Sequence, residues 1–308
     1  DRRSEITANV YYCLLSKKEK VTTTSSSTIY RVKIGKSSFD SDFVSLRILK
    51  EKVFSKSDDD DEKGFNIDES KMEQFYSYCQ KVHLLNHPNI ARSFGFFRGN
   101  SKHEPLLLSE YFSKSLKEAV KSLDDIYLVS IIYEISHTMM ILHSNNLIHR
   151  NLRPENIFID SSKHAKLTDF ADELLLNVTD QIKSEKIKPV CMSPELLQNR
   201  EYDEKVDVFS FGVVMHFILS RGKAVFLSKE QIIAGEDQLI RKTINKISFS
   251  IIKRCMSQSP ENRPSFRAIT QTIQRNNFVL IDGIESKIPM IQNQVKSIID
   301  IKKVKEKK

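Results

Sequence analysis

Apolar and polar residues alternate with a period of two along three runs near the start of the chain, Val10 to Leu15, Ile29 to Ile34 and Phe43 to Leu49. That pattern predicts an antiparallel β-meander. A helix is predicted from about Ser70 to Leu85, followed by two more strands at Phe94 to Phe97 and Leu106 to Leu108. Farther on, Leu128, Ile132, Ile135, Met139 and Leu142 recur at helical spacing, with Ser122 as the expected cap three residues before Asp125. Ile157, Phe158 and Ile159 follow a polar turn that contains Pro154, and read as a short buried strand.

Composition narrows the classes. A chain of 308 residues with 40% apolar content is long enough for one two-lobed domain or two ordinary ones. Cys13, Cys79, Cys191 and Cys255 lie far apart without paired ligand spacing, which argues against a disulfide framework or a zinc site. Reduced thiols in a cytoplasmic setting are the expectation. The longest apolar run, near Phe211 to Leu219, is broken by Gly212 and His216 and falls short of a membrane span. The net charge of +8 sits largely in the end Lys302 to Lys308, with no aromatic-basic stripe, so nucleic-acid binding is not expected. That lysine-rich end is read as a solvated tail, with weak contact to anionic surfaces as the alternative. The acidic run Asp58 to Asp61 reads as a flexible loop. The chain opens at Asp1 without a methionine or a secretory leader and is read as cut from something larger.

Chemistry enters at the stretch His149-Arg150-Asn151-Leu152-Arg153-Pro154-Glu155-Asn156, followed at Asp169-Phe170-Ala171 by a second short motif. Together they resemble the protein-kinase catalytic loop, His-Arg-Asp-Leu-Lys-Pro-Glu-Asn, and the metal-binding Asp-Phe-Gly. Further motifs carry the resemblance into both halves of the chain. Val44 to Leu49 looks like the third kinase strand, and His87-Pro88-Asn89-Ile90 resembles the motif after the regulatory helix. Ser109 to Phe112 looks like the hinge, Met192-Ser193-Pro194-Glu195 like Met-Ala-Pro-Glu, and Asp207 to Gly212 like the central helix. Cys255 to Phe266 is most similar to the tyrosine-kinase-like branch, while the catalytic loop follows the serine/threonine pattern.

The resemblance implies an α+β, two-lobed protein-kinase-like fold. A small antiparallel β-sheet N-lobe with one regulatory helix would span residues 1–110, and a larger, mainly α-helical C-lobe 111–277. A basic C-terminal tail, 278–308, lies outside it. ATP and Mg2+ are the cofactors so implied, and a protein partner or protein substrate follows. Asn156 and Asp169 would hold the metal, since their oxygens suit a hard cation. Backbone groups of Glu110 and Phe112 would contact adenine over Phe158, Arg47 would take the phosphate-gripping position, and Arg153 would neutralise the γ-phosphate. Asp207 would brace the catalytic loop, and Arg263 would pair with Glu195.

Departures from the family pattern are concentrated on transfer chemistry. Asn151 stands where the family has its catalytic aspartate, and a carboxamide orients a hydroxyl without acting as a base near neutral pH. Arg47 replaces the strand lysine, and counting back from His87 puts Tyr78 where its helix glutamate should be. Glu73 lies more than one turn upstream. The first turn, Thr22 to Ser27, has no glycine and reads as a polar hairpin loop rather than a phosphate cradle. Thr179 and Ser184 are the hydroxyls of the expected activation segment before Lys188. Three functions remain side by side: a pseudokinase serving as a signalling, scaffolding or allosteric module, a divergent and slow serine/threonine kinase, and a nucleotide sensor without transfer.

Overall fold

The structure is a computed structural model that describes residues 14–23, 27–33, 42–50, 68–100, 103–170, 191–223, 227–236 and 245–305. Two compact units emerge. The first holds the described residues up to Asn86 together with Ala91–Ser113, and the second holds His87–Ile90, Lys114–Phe170 and the described residues from Cys191 onward.

In the first unit β1 (Lys18–Thr23), β2 (Ser27–Lys33), β3 (Phe43–Leu49), β4 (Ser93–Phe97) and β5 (Leu106–Glu110) form one antiparallel sheet in the order β1-β2-β3-β5-β4. Val32, Val44, Leu46, Ile48 and Leu106 alternate onto a common face and are buried there with Leu14. The register sets Ile29 and Leu107 on either side of Arg47. One expected strand differs. Residues 14–16 form a helical turn, and the first strand starts only at Lys18, while Val10 to Cys13 lie outside the described residues. Leu14 reaches the sheet core from that turn, so its apolar character reflects packing and not strand alternation.

Helix α1 (Glu69–Leu84) buries Met72, Phe75, Tyr76, Tyr78 and Val82, related by steps of three and four residues along one stripe. Tyr76 fixes that stripe to the sheet. Its ring stacks on Phe96 with centroids 4.4 Å apart, and its hydroxyl donates to the Phe97 carbonyl at 2.9 Å.

The second unit is mostly helical. It comprises α2 (Leu116–Ala119), α3 (Asp125–Ser144), the hairpin β6 (Ile157–Ile159) and β7 (Ala165–Leu167), α4 (Pro194–Leu197), α5 (Lys205–Leu219), α6 (Lys229–Ala234), α7 (Lys246–Cys255), α8 (Phe266–Arg275) and α9 (Ile288–Lys305). An antiparallel β-sheet unit and a mainly helical unit give the α+β, two-lobed arrangement that the sequence implied. Helix α3 is long and apolar enough to cross a membrane, yet 78% of that window is buried as the core helix of this unit. Asp124, not Ser122, is its N-cap residue; Ser122 lies in a 3-10 turn and donates to the Ala119 carbonyl at 2.9 Å. Gly212 lets α5 and α7 close tightly, since a Cβ there would come within 2.7 Å of Met256 and 2.8 Å of Cys255.

The described residues from Phe278 onward are built into this unit. Phe278, Leu280, Ile284, Ile291, Val295 and Ile298 are all buried, and α9 packs along α3. Within α9, Ile291, Val295 and Ile298 fall four and three residues apart and form its buried stripe.

Candidate functional site

The geometry of the loop His149–Asn156 starts from one carboxylate on the first turn of α5. Asp207 is wholly buried. Its Oδ2 accepts from the His149 amide at 2.7 Å and from His143 Nε2 at 2.9 Å, and its Oδ1 accepts from the Arg150 amide at 2.8 Å. Burial opposes the charge, but His143 and the backbone amide of His149 outweigh it and hold the carboxyl below its ordinary pKa. Asp207 is therefore ionised, and it pins two successive loop amides. Between those anchors Arg150 takes a left-handed conformation, φ 64°, and its Nε donates to the Tyr202 hydroxyl at 3.2 Å. The His149 ring is wholly buried, its centroid 4.5 Å from that of Phe170. Burial lowers its pKa, so the ring is neutral and its Nδ1 accepts from the Asn151 amide at 3.3 Å.

The loop brings Asn151, Asn156 and Asp169 into one hydrogen-bonded group. Asn151 donates from Nδ2 to the Asp169 carbonyl at 3.5 Å, and its own carbonyl accepts from Asn156 Nδ2 at 2.9 Å. The Asn156 carbonyl is held in turn by the Thr168 amide at 3.1 Å and hydroxyl at 3.0 Å. With Nδ2 committed, Asn156 Oδ1 receives no donor among the described residues. Asp169 has φ 57°, a left-handed turn that a non-glycine residue adopts only when its surroundings impose it. Phe158 is half-buried on β6, opposite Lys166 and bridged to Ser115.

Arg153 is engaged locally. Its Nε donates to Glu155 Oε2 at 3.0 Å, and Lys117 on α2 donates to Glu155 Oε1 at 2.9 Å. Burial raises the Glu155 pKa, yet Arg153 first and Lys117 second overcome it and bring the value down to about 2.

In the first unit Arg47 is buried, and its Nε donates to Ser27 Oγ at 2.8 Å. Ser27, expected in an exposed polar loop, is wholly buried at the start of β2, and Thr24 to Ser26 lie outside the described residues. Glu73 is exposed and paired with Arg98, and Tyr78 is part of the buried stripe of α1. Glu110 is drawn to the β4 side of the sheet. Its amide donates to the Arg92 carbonyl at 2.9 Å, and its carboxylate accepts from the Arg92 amide at 2.9 Å. Phe112 is half-buried in the segment after β5. Ala171, Thr179, Ser184 and Lys188 lie outside the described residues.

Two buried acids complete the electrostatics of the second unit. Glu195 on α4 receives Arg263 through both ends of the guanidinium, Nη1 at 2.6 Å and Nη2 at 2.9 Å. Arg263 also donates to the carbonyls of Ser257 at 2.8 Å, Lys205 at 3.0 Å and Gln258 at 3.2 Å, so its charge is fully surrounded. The other acid was missed in the sequence. Glu134, wholly buried in α3, accepts from His164 Nδ1 at 2.6 Å, the Ala165 amide at 2.7 Å and Asn89 Nδ2 at 3.2 Å. Its signal was available, for it is an acid standing among the apolar positions of the longest helix, where a buried charge demands partners.

With this geometry in place the class can be stated. The chain belongs to the protein tyrosine and serine/threonine kinase family, whose profile matches residues 63–273. Among its relatives, the probable serine/threonine-protein kinase kinX of Dictyostelium discoideum is 28% identical over 218 residues, 67% of this chain and 20% of that protein. Serine/threonine-protein kinase 12 of Arabidopsis thaliana is 28% identical over 225 residues, 67% of this chain and 48% of that protein. A probable inactive serine/threonine-protein kinase of Dictyostelium discoideum is 30% identical over 229 residues, 66% of this chain and 19% of that protein. The chain thus spans from about a fifth to about half of the length of these relatives.

Proposed function

We propose that this domain is a pseudokinase of the tyrosine-kinase-like branch, a binding or allosteric module with weak or no phosphoryl transfer. The observation that carries this reading is on helix α1, where the family's glutamate position holds Tyr78 and the nearest upstream acid, Glu73, is exposed and paired with Arg98. Arg47 bonds the neutral hydroxyl of Ser27, and Tyr78 offers no carboxylate. An arginine at the strand position keeps its charge, but its planar fork is longer and less adaptable than the ammonium of the family's lysine. Asn151 adds to the loss, since removal of a general base costs on the order of 10² to 10⁴ in rate. Changes at the first turn, Arg47, Tyr78 and Asn151 at about 2 kcal/mol each sum to about 8 kcal/mol, near a millionfold. Residues that act as a unit are not lost twice, so that sum is an upper figure.

A second reading has its own support. Asn156 and Asp169 fit a hard cation, because Asn156 is oriented through Nδ2 with Oδ1 left without a donor among the described residues, and Asp169 brings a carboxylate. Bound Mg2+ would supply charge neutralisation to nucleotide phosphates. Relatives named as serine/threonine kinases and one named as inactive leave a slow kinase and a nucleotide sensor as the alternatives. Two experiments separate the three. Asn151→Asp alone is expected not to restore strong phosphorylation, and vigorous activity in that variant would contradict the pseudokinase reading. In a thermal shift, a ligand at ~100 times its dissociation constant adds about 2.7 kcal/mol. If neither ATP nor ATP with magnesium moves the melting point, nucleotide sensing is excluded.

A further inference from the structure

Away from the catalytic loop, helices α7 and α8 enclose a groove of about 290 Å³. Helical spacing explains its shape. Lys246, Ser250 and Arg254 fall at intervals of four residues and form one wall, and Ala268 and Thr272 form the other. The short side chains Ser250, Ala268 and Thr272 leave the trough open between them. Its floor is apolar: Ile251 and Ile269 are buried, and Ile247 is half-buried.

The charge on this groove is one-sided. No lining residue is acidic, and Lys246 and Arg254 are exposed with no acidic partner among the described residues. Eight residues of helix separate the two cations, about 12 Å along the axis at ~1.5 Å per residue. An extended peptide advances ~3.3 Å per residue, so acidic side chains at positions i and i+4 are about 13 Å apart and point to the same side as the residue midway between them. The volume accepts one or two medium-sized apolar side chains.

We propose that the α7–α8 groove is a docking site for an extended acidic segment of a partner protein, with carboxylates four residues apart and an apolar side chain between them. The carboxylates meet Lys246 and Arg254, and the central side chain enters over Ile251 and Ile269. This site is separate from the catalytic loop and independent of nucleotide.

The test uses the full 308-residue chain and two capped, fluorescein-labelled peptides, Glu-Ala-Leu-Ala-Glu and Lys-Ala-Leu-Ala-Lys, read by anisotropy. The glutamate peptide is expected to bind saturably and the lysine peptide not to bind. The double variant Lys246→Glu/Arg254→Glu should weaken the glutamate peptide by about tenfold or more and reverse the preference. Ala268→Leu, which fills the trough, should also weaken it while leaving the melting temperature unchanged. Equal binding of both peptides, no saturable binding, or indifference to the double charge reversal would overturn the proposal. So would anionic vesicles that displace the peptide and depend on the same two cations, since the groove would then serve a membrane surface.

Discussion

Replacing Asp207 tests the physical link between the helical core and the loop it holds. Three donors converge on this one wholly buried carboxylate, the amides of His149 and Arg150 and the ring of His143. Hydrogen bonds to a charged group contribute about 1.5–3 kcal/mol each. Because the three share a single acceptor and the loop can relax toward water, Asp207→Ala is expected to lose about 4–5 kcal/mol, less than the additive figure. Asp207→Asn retains one accepting oxygen but turns an NH2 toward a donor, so a loss of about 2–3 kcal/mol is expected. At about 2–4 °C per kcal/mol for a domain of this size, the alanine variant should melt roughly 8–20 °C lower. Urea denaturation followed by circular dichroism at pH 7 measures the free energy, and calorimetry the melting point. The acid limb gives an independent check. Since the folded pKa of Asp207 lies below its ordinary value of 3.8, its contribution is present above that value and lost as pH falls through the folded one. The asparagine variant should lack this part of the acid loss. A loss below about 1 kcal/mol for the alanine variant, with an unchanged acid limb, would refute the assignment of Asp207 as an ionised brace.

Other consequences are more local. Glu195→Ala strands the buried charge of Arg263 and is expected to cost about 3 kcal/mol, the low end for a broken buried pair, because three carbonyls still receive the guanidinium. Glu195→Gln, which keeps an acceptor, should cost less, and equal losses in urea melts would contradict the ionic reading. The His164 pKa is raised by its bond to Glu134 above the ordinary value of 6.5, so its contribution is complete below that value and fades as pH rises through the folded one. Stability measured from pH 6 to 9 should fall on that account in the wild type and less in His164→Gln; parallel curves would show that the pair is not charged.

Much of the fold was legible because the periodicities were clean. The strand Phe43–Leu49 and the helix α1 lie where alternation and helical spacing put them. Leu14 was misread because the short unbroken apolar run Val10 to Leu15 cannot distinguish a strand from a helical turn that delivers one of its residues to the core. Ser122 was misread for a different reason: Asp124 is an equally good cap, and only the turn geometry chooses between them. The braces Asp207, Glu195 and Arg263 were readable as motif positions, since each is tied to a fixed place in the family pattern. What eluded the sequence is pairing between distant or same-type candidates. Nothing in the chain links Ser27 to Arg47 across twenty positions until the β2–β3 register, which pairs Ile29 with Arg47 and Ser27 with Leu49, makes them diagonal neighbours. The bond of Arg153 to Glu155 two residues on likewise depends on a turn that composition does not specify.

Phosphoryl transfer itself is the most direct measure of the claim that the kinase scaffold persists here without its chemistry. The wild-type domain and Asp169→Ala, incubated with γ-labelled ATP, magnesium and a generic protein acceptor, are predicted to incorporate label to the same background level. Turnover by the wild type near the 1–100 s⁻¹ typical of kinases, abolished by Asp169→Ala, would contradict it.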